Sequence, residues 1–592
     1  MIKNIFSKTT AKLFTKLNIK RWPSFSQWKN LPSLFSNKER YFILGAGILA
    51  IISLIGWYIA YQLTTTIVVP KHGGSYTEGI IGTPQYINPV LCQTSDADRD
   101  LTELIFSGLM KYDSEGKLVP DLAERYAVGD EGKVYEFFLR KGVTWHDGES
   151  FNADDVVFTI QIIQNPDFKS PLFSIWHGIE IEKVNDYTVR FHLKEPYAPF
   201  IFNTTVGILP KHIWENINPP EFFLTDLNLK PIGTGPYKLR RIEKGKEGTI
   251  KTVQLESYEN YHFGEPFIKK IVLKFYINEE NLVKAYNKGE VEGLGFISAQ
   301  NLSKLKNKEI ALNILELNLP RYFAVFLNQS KSKILSDKTV RLALNYATDK
   351  DQIIKEILMG RGTPVYSPIP KGVFGHSENI KIYDFALEHA KNLLEAAGWK
   401  ENKDTGFREK VLKSGEDSSV LSFTLITTDW PELEKVANLL KEQWEKIGAK
   451  VDIKILNIAE IQQNYIRPRE YEALIFGEVL GPDPDPLPFW HSSQKKDPGL
   501  NLALYQNNEA DKILTEARTI FDPEKRKEKY EEFQKLVVDD APVIFLYNPY
   551  YLYSVDKKIK GIKIKNIPLP SKRFSGIENW YIKTKRIKKE SN

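Results

Sequence analysis

Between residues 118 and 163 the spacing of hydrophobic positions changes from two residues, which is typical of a strand, to three and four residues, which is typical of a helix. One face of a predicted strand holds three large side chains spaced two apart, Tyr135, Phe137 and Leu139. Asn152 can then cap a helix, with the carboxylate of Asp155 three residues on as its reciprocal partner. The apolar face of that helix consists of Val156, Val157, Ile160 and Ile163. The stretch predicts a hairpin that leads into a helix, a unit that many α/β domains contain.

A run of 23 residues without any charge, Tyr41–Leu63, lies near the start of the chain. At about 1.5 Å per residue a helix of this length crosses the roughly 30 Å hydrocarbon layer of a membrane. Lys38 and Arg40 flank its N-terminal side, so the positive-inside rule places residues 1–40 in the cytoplasm as a basic tail. A cleaved signal peptide is the alternative for the apolar run. An amphipathic membrane-surface segment is the alternative for the tail.

The second half of the chain alternates helices with strands. Its clearest unit is a strand over 421–427, a helix over 433–447 and a second strand over 451–455. Strand–helix–strand of this length predicts a parallel pair with a right-handed crossover. Ligands of such sheets bind outside the carboxyl ends of the strands. This expectation places four residues at the edge of a cleft: Thr427, Thr428, Asp429 and Trp430.

Charge is distributed unevenly along the 592 residues. The formal net charge is +6, but residues 1–40 carry +8 and the last ten residues carry +4, which leaves the body at −6. A mildly acidic body lacks the basic surface that nucleic-acid binding requires. The chain is too long for a single hydrophobic core, so two or three lobes are expected. The single cysteine, Cys92, excludes an internal disulfide framework.

Sequence signatures of catalysis are absent from the chain. It contains no Walker loop, nucleophile elbow, HExxH or CxxC motif. The nine histidines are scattered, so neither a metal site nor any other cofactor is expected. His146-Asp147-Gly148 is interpreted as a hydrogen-bonded turn rather than as catalytic machinery. The sequence therefore favours a binding protein over an enzyme.

Three runs of residues resemble one known family: Leu118–Glu124, Leu139–Gly148 and Phe151–Phe158. The family is that of the extracytoplasmic solute-binding proteins of peptide- and nickel-type ABC importers. The resemblance covers about residues 75–570. It implies an α/β fold with the two lobes of a periplasmic-binding protein and an extra inserted domain, here preceded by one N-terminal transmembrane helix.

The resemblance also implies domain boundaries. Domain I is expected over 64–108, 231–320 and 541–592, the inserted domain II over 109–230, and domain III, the second lobe, over 321–540. A hinge is expected near Arg321–Asn328. The final basic cluster, Lys583–Lys589, is interpreted as a solvated tail.

Nine residues are expected to contact ligand in the cleft between the lobes: Tyr86, Asn88, Asn328, Thr427, Asp429, Trp430, Asp483, Asp485 and Trp490. In peptide-binding members an acidic residue pairs with the α-amino group of the ligand. Alignment on Asp485-Pro486 puts Pro482 at that position, and Asp483 lies one position away. The chain thus departs from the family pattern at the amine-binding site.

The function implied is that of a membrane-anchored receptor of an ABC importer that closes on short peptides. Its expected partners are the permease subunits of the transporter, and the receptor is expected to be a monomer on the outer face of the cell membrane. Oligosaccharides, stacked on Trp430, Phe489 and Trp490, or metal complexes are alternative ligands of the same fold. A surface chaperone or sensor without a transporter, and a cell-surface hydrolase, are the alternatives from other classes.

Overall fold

A computed structural model describes residues 36–411, 418–481 and 483–589. The predicted tail therefore lies outside the described residues except for 36–40, and Pro482 lies outside them as well. The chain divides into two compact units. One consists of Met1–Pro70 with Thr584–Asn592, and the other of Lys71–Lys583.

The smaller unit contains helix α1, Asn37–Thr65, whose described side chains are all unburied. Ser36 and Glu39 form a capping box at its start, so the helix extends beyond the predicted apolar run at both ends. Among the described helices, α1 alone has the length and composition to cross a membrane. Strand β1, Thr66–Lys71, follows it and pairs with the last strand of the chain, β24, Lys583–Lys588. The C-terminal basic cluster is therefore part of a two-stranded sheet, and the side chains of its strand are all exposed.

The first lobe of the larger unit is built on a seven-stranded sheet. In spatial order its strands are β13 (Leu312–Leu317), β23 (Tyr551–Asp556), β12 (Gly293–Leu294), β2 (Ser75–Ile81), β11 (Lys270–Tyr276), β10 (Ile250–Ser257) and β9 (Tyr237–Lys244). Helices α2 (Asp96–Ile105) and α4 (Glu279–Asn287) belong to this lobe.

A four-stranded antiparallel sheet is inserted into this lobe, in the order β5 (Ala123–Gly129), β6 (Val134–Leu139), β8 (Thr188–His192) and β7 (Glu180–Asn185). Helix α3, Ala153–Gln164, packs on it, and its capping box between Asn152 and Asp155 confirms that prediction. A small hairpin of β3 (Met110–Tyr112) and β4 (Leu118–Pro120) precedes the insertion. One apolar core runs through both sheets, from Tyr76 to Phe191, so the inserted domain is fused to the first lobe.

The second lobe is built on a six-stranded sheet. In spatial order its strands are β15 (Gly362–Pro364), β22 (Val543–Pro549), β14 (Arg321–Leu327), β21 (Ala473–Val479), β19 (Ser422–Thr428) and β20 (Lys450–Leu456). Its longer helices are α5 (Lys338–Tyr346), α6 (Lys350–Glu356), α7 (Leu387–Ala396), α8 (Pro431–Glu445), α9 (Asn508–Ala517) and α10 (Pro523–Asp540). A three-stranded edge sheet holds β16 (Lys400–Glu401), β17 (Arg408–Val411) and β18 (Ser418–Val420). β19, α8 and β20 form the predicted parallel unit.

The chain crosses between the two large sheets twice. The first crossing is Asn318–Pro320, between β13 and β14, and the second is Tyr550, between β22 and β23. The side-chain amide of Asn548 donates to the carbonyl of Leu319 at 3.0 Å and ties the two crossings together. Because β22 belongs to the second sheet, the return to the first lobe comes later than the expected residue 541.

Gly233 is needed for a close approach between segments. A Cβ atom at this position would lie 1.9 Å from the carbonyl oxygen of Ile105. The turn that follows also holds His146, whose Nε2 lies 3.0 Å from the carbonyl oxygen of Gly235. Position 233 therefore requires glycine, because only glycine lacks the Cβ atom that would clash with this carbonyl oxygen.

We expect Gly233→Ala to lower the free energy of unfolding by about 1–3 kcal/mol, because a methyl group would overpack the contact with α2. Urea unfolding followed by tryptophan fluorescence measures the change. Gly248→Ala is a control for backbone strain without overpacking. Gly248 lies in a turn with a φ of +78°, and nothing lies within 4 Å of the added Cβ atom. This substitution should lower the free energy of unfolding by about 1 kcal/mol. Equal effects of the two substitutions would contradict the overpacking argument.

Candidate functional site

A cavity of about 470 Å³ lies between the two lobes beside the crossings. Glu279 and Gln300 line it from the first lobe, and Trp430 and Lys435 line it from the second. A second cavity, of about 450 Å³, continues into the second lobe and shares Arg321 and Trp430 with the first. Together they form an interlobe cleft that runs along the end of β21.

The end of β21 has an edge that no other strand covers among the described residues. The amide of Leu480 donates to the carbonyl of Pro320 at 2.7 Å, and the amide of Asn328 donates to the carbonyl of Glu472 at 2.8 Å. In an antiparallel ladder, residues of the same parity bond to the same neighbour, so the main-chain groups of Gly477 and Val479 point away from β14.

On that other side, β21 pairs with β19 only as far as Leu474 in the part of the chain that is described. Gly477 and Val479 both line the 450 Å³ cavity, together with Thr428 and Trp430. The cleft therefore presents main-chain donors and acceptors at the geometry of a sheet edge.

Arg321 opens β14 and places a cation in the cleft. Burial lowers the pKa of its guanidinium, and the carboxylates of Glu432 and Asp96 oppose that effect. Asp96 begins α2 in the first lobe and Glu432 lies in α8 of the second lobe, so both lobes face this arginine. Its buried Nε has no hydrogen-bond partner among the described residues. A carboxylate is the group that would satisfy a guanidinium in this setting.

A second polar cluster lies where the inserted domain meets the second lobe. Arg518 donates twice to Asp485, at 2.8 and 2.6 Å, and the hydroxyl of Tyr197 donates to the same oxygen at 3.2 Å. The amide of Ala198 donates to the carbonyl of Arg518 at 2.9 Å. These contacts hold the two lobes together across the cleft.

Asp483 is 5% exposed and lies 2.6 Å from the guanidinium of Arg526. The contact is ionic and falls short of hydrogen-bond geometry, so neither carboxylate oxygen has a hydrogen-bond partner among the described residues. Burial raises the pKa of Asp483 to about 6, although Arg526 favours the charged form. Asp483 is thus a buried carboxylate whose counter-charge is Arg526.

A third cavity, of about 270 Å³, opens behind Tyr112 in the first lobe. Burial raises the pKa of the Tyr112 hydroxyl, and the charge of Asp483 adds to that effect, which places the two groups near each other. The cavity is lined by apolar side chains and by the ion pair of Lys572 with Glu103. The buried hydroxyls of Thr102 and Ser575, also in its lining, have no hydrogen-bond partner among the described residues.

Comparison with known proteins identifies the architecture. The sequence profile of the bacterial extracellular solute-binding proteins, family 5, matches residues 117–500. The chain belongs to this family. The predicted family and the predicted two-lobed α/β fold with an inserted domain are confirmed.

Individual members of family 5 match most of the chain. The oligopeptide-binding protein AppA of Bacillus subtilis is 30% identical over 523 residues, covering 87% of this chain and 92% of that protein. Its structure in complex with a nonapeptide matches with a TM-score of 0.66 at 29% identity, covering 87% of this chain and 99% of the other. NikZ of Campylobacter jejuni, in complex with Ni(L-His), matches with a TM-score of 0.69 at 29% identity over 86% of this chain and 99% of the other.

The structure brings only part of the predicted site together. Asp429 and Trp430 are exposed and line the interlobe cleft as expected, and the ring of Trp430 lies edge-on to Phe323 with centroids 5.7 Å apart. Asp483 and Asp485 lie at the boundary between the lobes, both engaged by arginines. Thr427 is fully buried under β21 and does not reach the cavity.

Three predicted residues serve the fold instead. Trp490 is 1% exposed and packs against Tyr505, Phe533 and Phe545, so it offers no face to a sugar. The side-chain amide of Asn88 donates to the side-chain oxygen of Asn228 at 3.1 Å. Asn328 caps the far end of β14, where it donates to the carbonyl of Arg469.

Tyr86 packs edge-on against Phe223 and is half-buried at the start of the domain I loop.

Sequence reasoning missed Arg321 and Glu478. Their signal is a charged residue at the end of an otherwise apolar strand, RYFAVFL for the first and ALIFGEV for the second. A charged residue at such a position indicates that the apolar core stops there and that the strand end lies near a cleft.

Glu478 gives the second lobe a pH-dependent stability. Burial raises the pKa of its carboxyl to about 8, with the hydroxyl of Tyr322 donating to it as a weaker, opposing influence. Because the pKa is higher in the folded than in the unfolded chain, the folded state binds an extra proton between about pH 4.5 and pH 8. This contribution to stability is complete at low pH and is lost as the pH rises.

We expect Glu478→Gln to remove that loss, because glutamine carries no titrating proton and still accepts from Tyr322. The difference in free energy of unfolding between the variant and the wild type should grow in favour of the variant by up to about 1.4 kcal/mol per pH unit between pH 5 and pH 8. Urea unfolding at five pH values measures it. A constant difference across that range would contradict the assignment.

Proposed function

We propose that the chain is a membrane-anchored extracytoplasmic receptor of an ABC importer and that it binds short peptides in the interlobe cleft. The observation that carries the proposal is the uncovered edge of β21 at Gly477 and Val479, beside the exposed Trp430. A peptide in extended conformation presents N–H and C=O groups at the spacing of a strand, so it can add to such an edge.

Charge at the site supports a ligand that carries a carboxylate. Arg321 can receive such a group in the cleft. The cavity behind Tyr112 has room for a side chain of moderate size and offers both apolar and hydroxyl surface. Main-chain pairing combined with roomy side-chain space favours a receptor that accepts many sequences.

Relatives support the same class of ligand. AppA of Bacillus subtilis is named for oligopeptide binding and was solved with a nonapeptide, and a dipeptide-binding protein of Escherichia coli is 27% identical over 526 residues. The burial of Trp490 removes one of the three aromatic residues on which the oligosaccharide alternative depended. In this proposal α1 remains as the anchor, the ectodomain lies outside the cytoplasmic membrane, and the permease subunits receive the closed, monomeric receptor. No catalytic step is assigned to it.

The test is to identify what the purified full-length protein carries. The protein is extracted in mild detergent and denatured in acid, and the released small molecules are sequenced by mass spectrometry. A mixture of peptides of two to about ten residues is the expected result. A series of masses spaced by one hexose would overturn the peptide assignment. So would an empty protein that binds none of an equimolar pool of di- to nonapeptides at millimolar concentration.

A further inference from the structure

We propose that the ribbon formed by β1 and β24 binds anionic phospholipid headgroups. These belong to the membrane leaflet that contains the C-terminal end of α1. The inference rests on the proposed anchoring by α1. It assigns a role to the basic C-terminus, which the peptide-binding cleft does not use.

The ribbon is joined directly to the end of the helix. The amide of Lys589 donates to the carbonyl of Thr65, the last helical residue, at 2.8 Å. Arg586 donates through Nη1 to the hydroxyl of Thr66 at 3.1 Å. The C-terminal strand therefore returns to the point where the helix leaves the hydrocarbon layer.

Charge on the ribbon has one sign. Five of the seven residues 583–589 are basic and none is acidic, and β1 has no acidic residue either. Every side chain of β24 is exposed. A strand whose side chains are all exposed and mostly cationic buries little apolar surface, so burial offsets little of the conformational entropy lost on ordering it. Attraction between its charges and an anionic partner would offset more of that cost.

Distance from the helix end favours lipid as that partner. At about 3.3 Å per residue, Lys588, Arg586 and Lys585 all lie within roughly 13 Å of Lys589, the residue that follows the strand. The headgroup layer is about 5–7 Å thick, and charges act across a further Debye length of about 8 Å in physiological salt. These three side chains are therefore within electrostatic reach of phosphate groups of the same leaflet. Coulomb attraction between these cations and the phosphates of anionic lipids favours such lipids beside the ribbon.

The test measures lipid selectivity of the full-length chain in vesicles. The protein is reconstituted into phosphatidylcholine containing 30% phosphatidylglycerol, and trace spin-labelled forms of the two lipids report which one occupies the protein boundary. We expect a relative association constant of about three or more in favour of phosphatidylglycerol. In 0.5 M salt the preference should fall toward one.

Two variants with equal change of charge separate this site from net charge. The first carries Lys585→Gln, Arg586→Gln, Lys588→Gln and Lys589→Gln, and should lose the preference. The matched control carries Lys403→Gln, Lys496→Gln, Lys525→Gln and Lys527→Gln, four exposed positions of the larger unit, and should retain it.

Equal selectivity in both variants and the wild type would overturn the proposal for the ribbon while leaving the anchor in place. Recovery of the protein from cells in the soluble fraction after a carbonate wash would instead remove the anchor, and the ribbon proposal with it. Peptide binding by the ectodomain is unaffected by either outcome, so the two failures can be told apart.

Discussion

Replacement of Arg573 by methionine is expected to destabilise the ectodomain by about 3–5 kcal/mol, because it leaves two buried carboxylates without their counter-charge. The guanidinium is 1% exposed and donates to Glu78 at 2.8 Å and to both oxygens of Asp100 at 2.6 Å. Glu78 also accepts from the hydroxyls of Tyr76 and Tyr553. The cluster joins β2, β23 and α2 to the helical turn Pro570–Phe574, which contains Arg573.

Burial already raises the pKa of Asp100 to about 6 while Arg573 opposes it. Without the arginine, nothing opposes the effect of burial on the pKa of Asp100, so the loss should be largest at high pH, where that carboxyl is charged. The free energy of unfolding, measured in urea at pH 6 and pH 8, tests both statements.

Two further variants control the Arg573 experiment. Arg240→Met, at an exposed position of β9, should change stability by less than about 0.5 kcal/mol. Adding Glu78→Gln and Asp100→Asn to the Arg573→Met background should recover much of the loss, since no buried charge then remains. A loss below about 1 kcal/mol in the single variant would show that the cluster is not a stabilising centre.

Val479→Pro is expected to weaken peptide binding by about 10- to 100-fold with little change in stability. The amide of Val479 points away from β14, so proline removes no bond of the existing sheet. It does remove a donor that an added peptide strand would use, and it leaves a carbonyl of the bound peptide without a partner. A lost hydrogen bond together with a buried unsatisfied group amounts to about 1.4–2.7 kcal/mol, which corresponds to that range of affinity.

The measurement is competition binding of a pool of defined di- to nonapeptides, read by native mass spectrometry. Val479→Ala keeps the amide and shortens only an exposed side chain, so its affinities should stay within about three-fold of the wild type. If the proline variant binds as well as the alanine variant, peptides do not pair with this edge and the proposed binding mode is wrong.

Local structure could be predicted from the sequence wherever one segment specifies its own geometry. The β19–α8–β20 unit follows from helical spacing between two strand-like runs, and the cap at Asn152 follows from a carboxylate three residues later. Family resemblance supplied the lobes and the inserted domain, which periodicity alone does not reveal.

The site was predicted less well because side-chain surroundings depend on distant segments. Trp490 closely follows four prolines, which do not indicate a buried position, yet its ring packs in the core of the second lobe against Phe545 of β22. Asn88 and Asn328 are polar residues at the ends of elements, where amides cap main chain as readily as they bind ligand. The terminal basic cluster pairs with a strand more than 500 positions away, and no local pattern predicts such a partner.

The uncovered edge of β21 has a consequence for competition among nutrients. If the receptor recognises main chain, each peptide in a mixture competes on nearly equal terms, so occupancy follows their summed concentration, each weighted by its own Kd. Uptake would then continue while individual peptides are depleted one after another. A single abundant peptide without nutritional value would in turn slow the import of all the others.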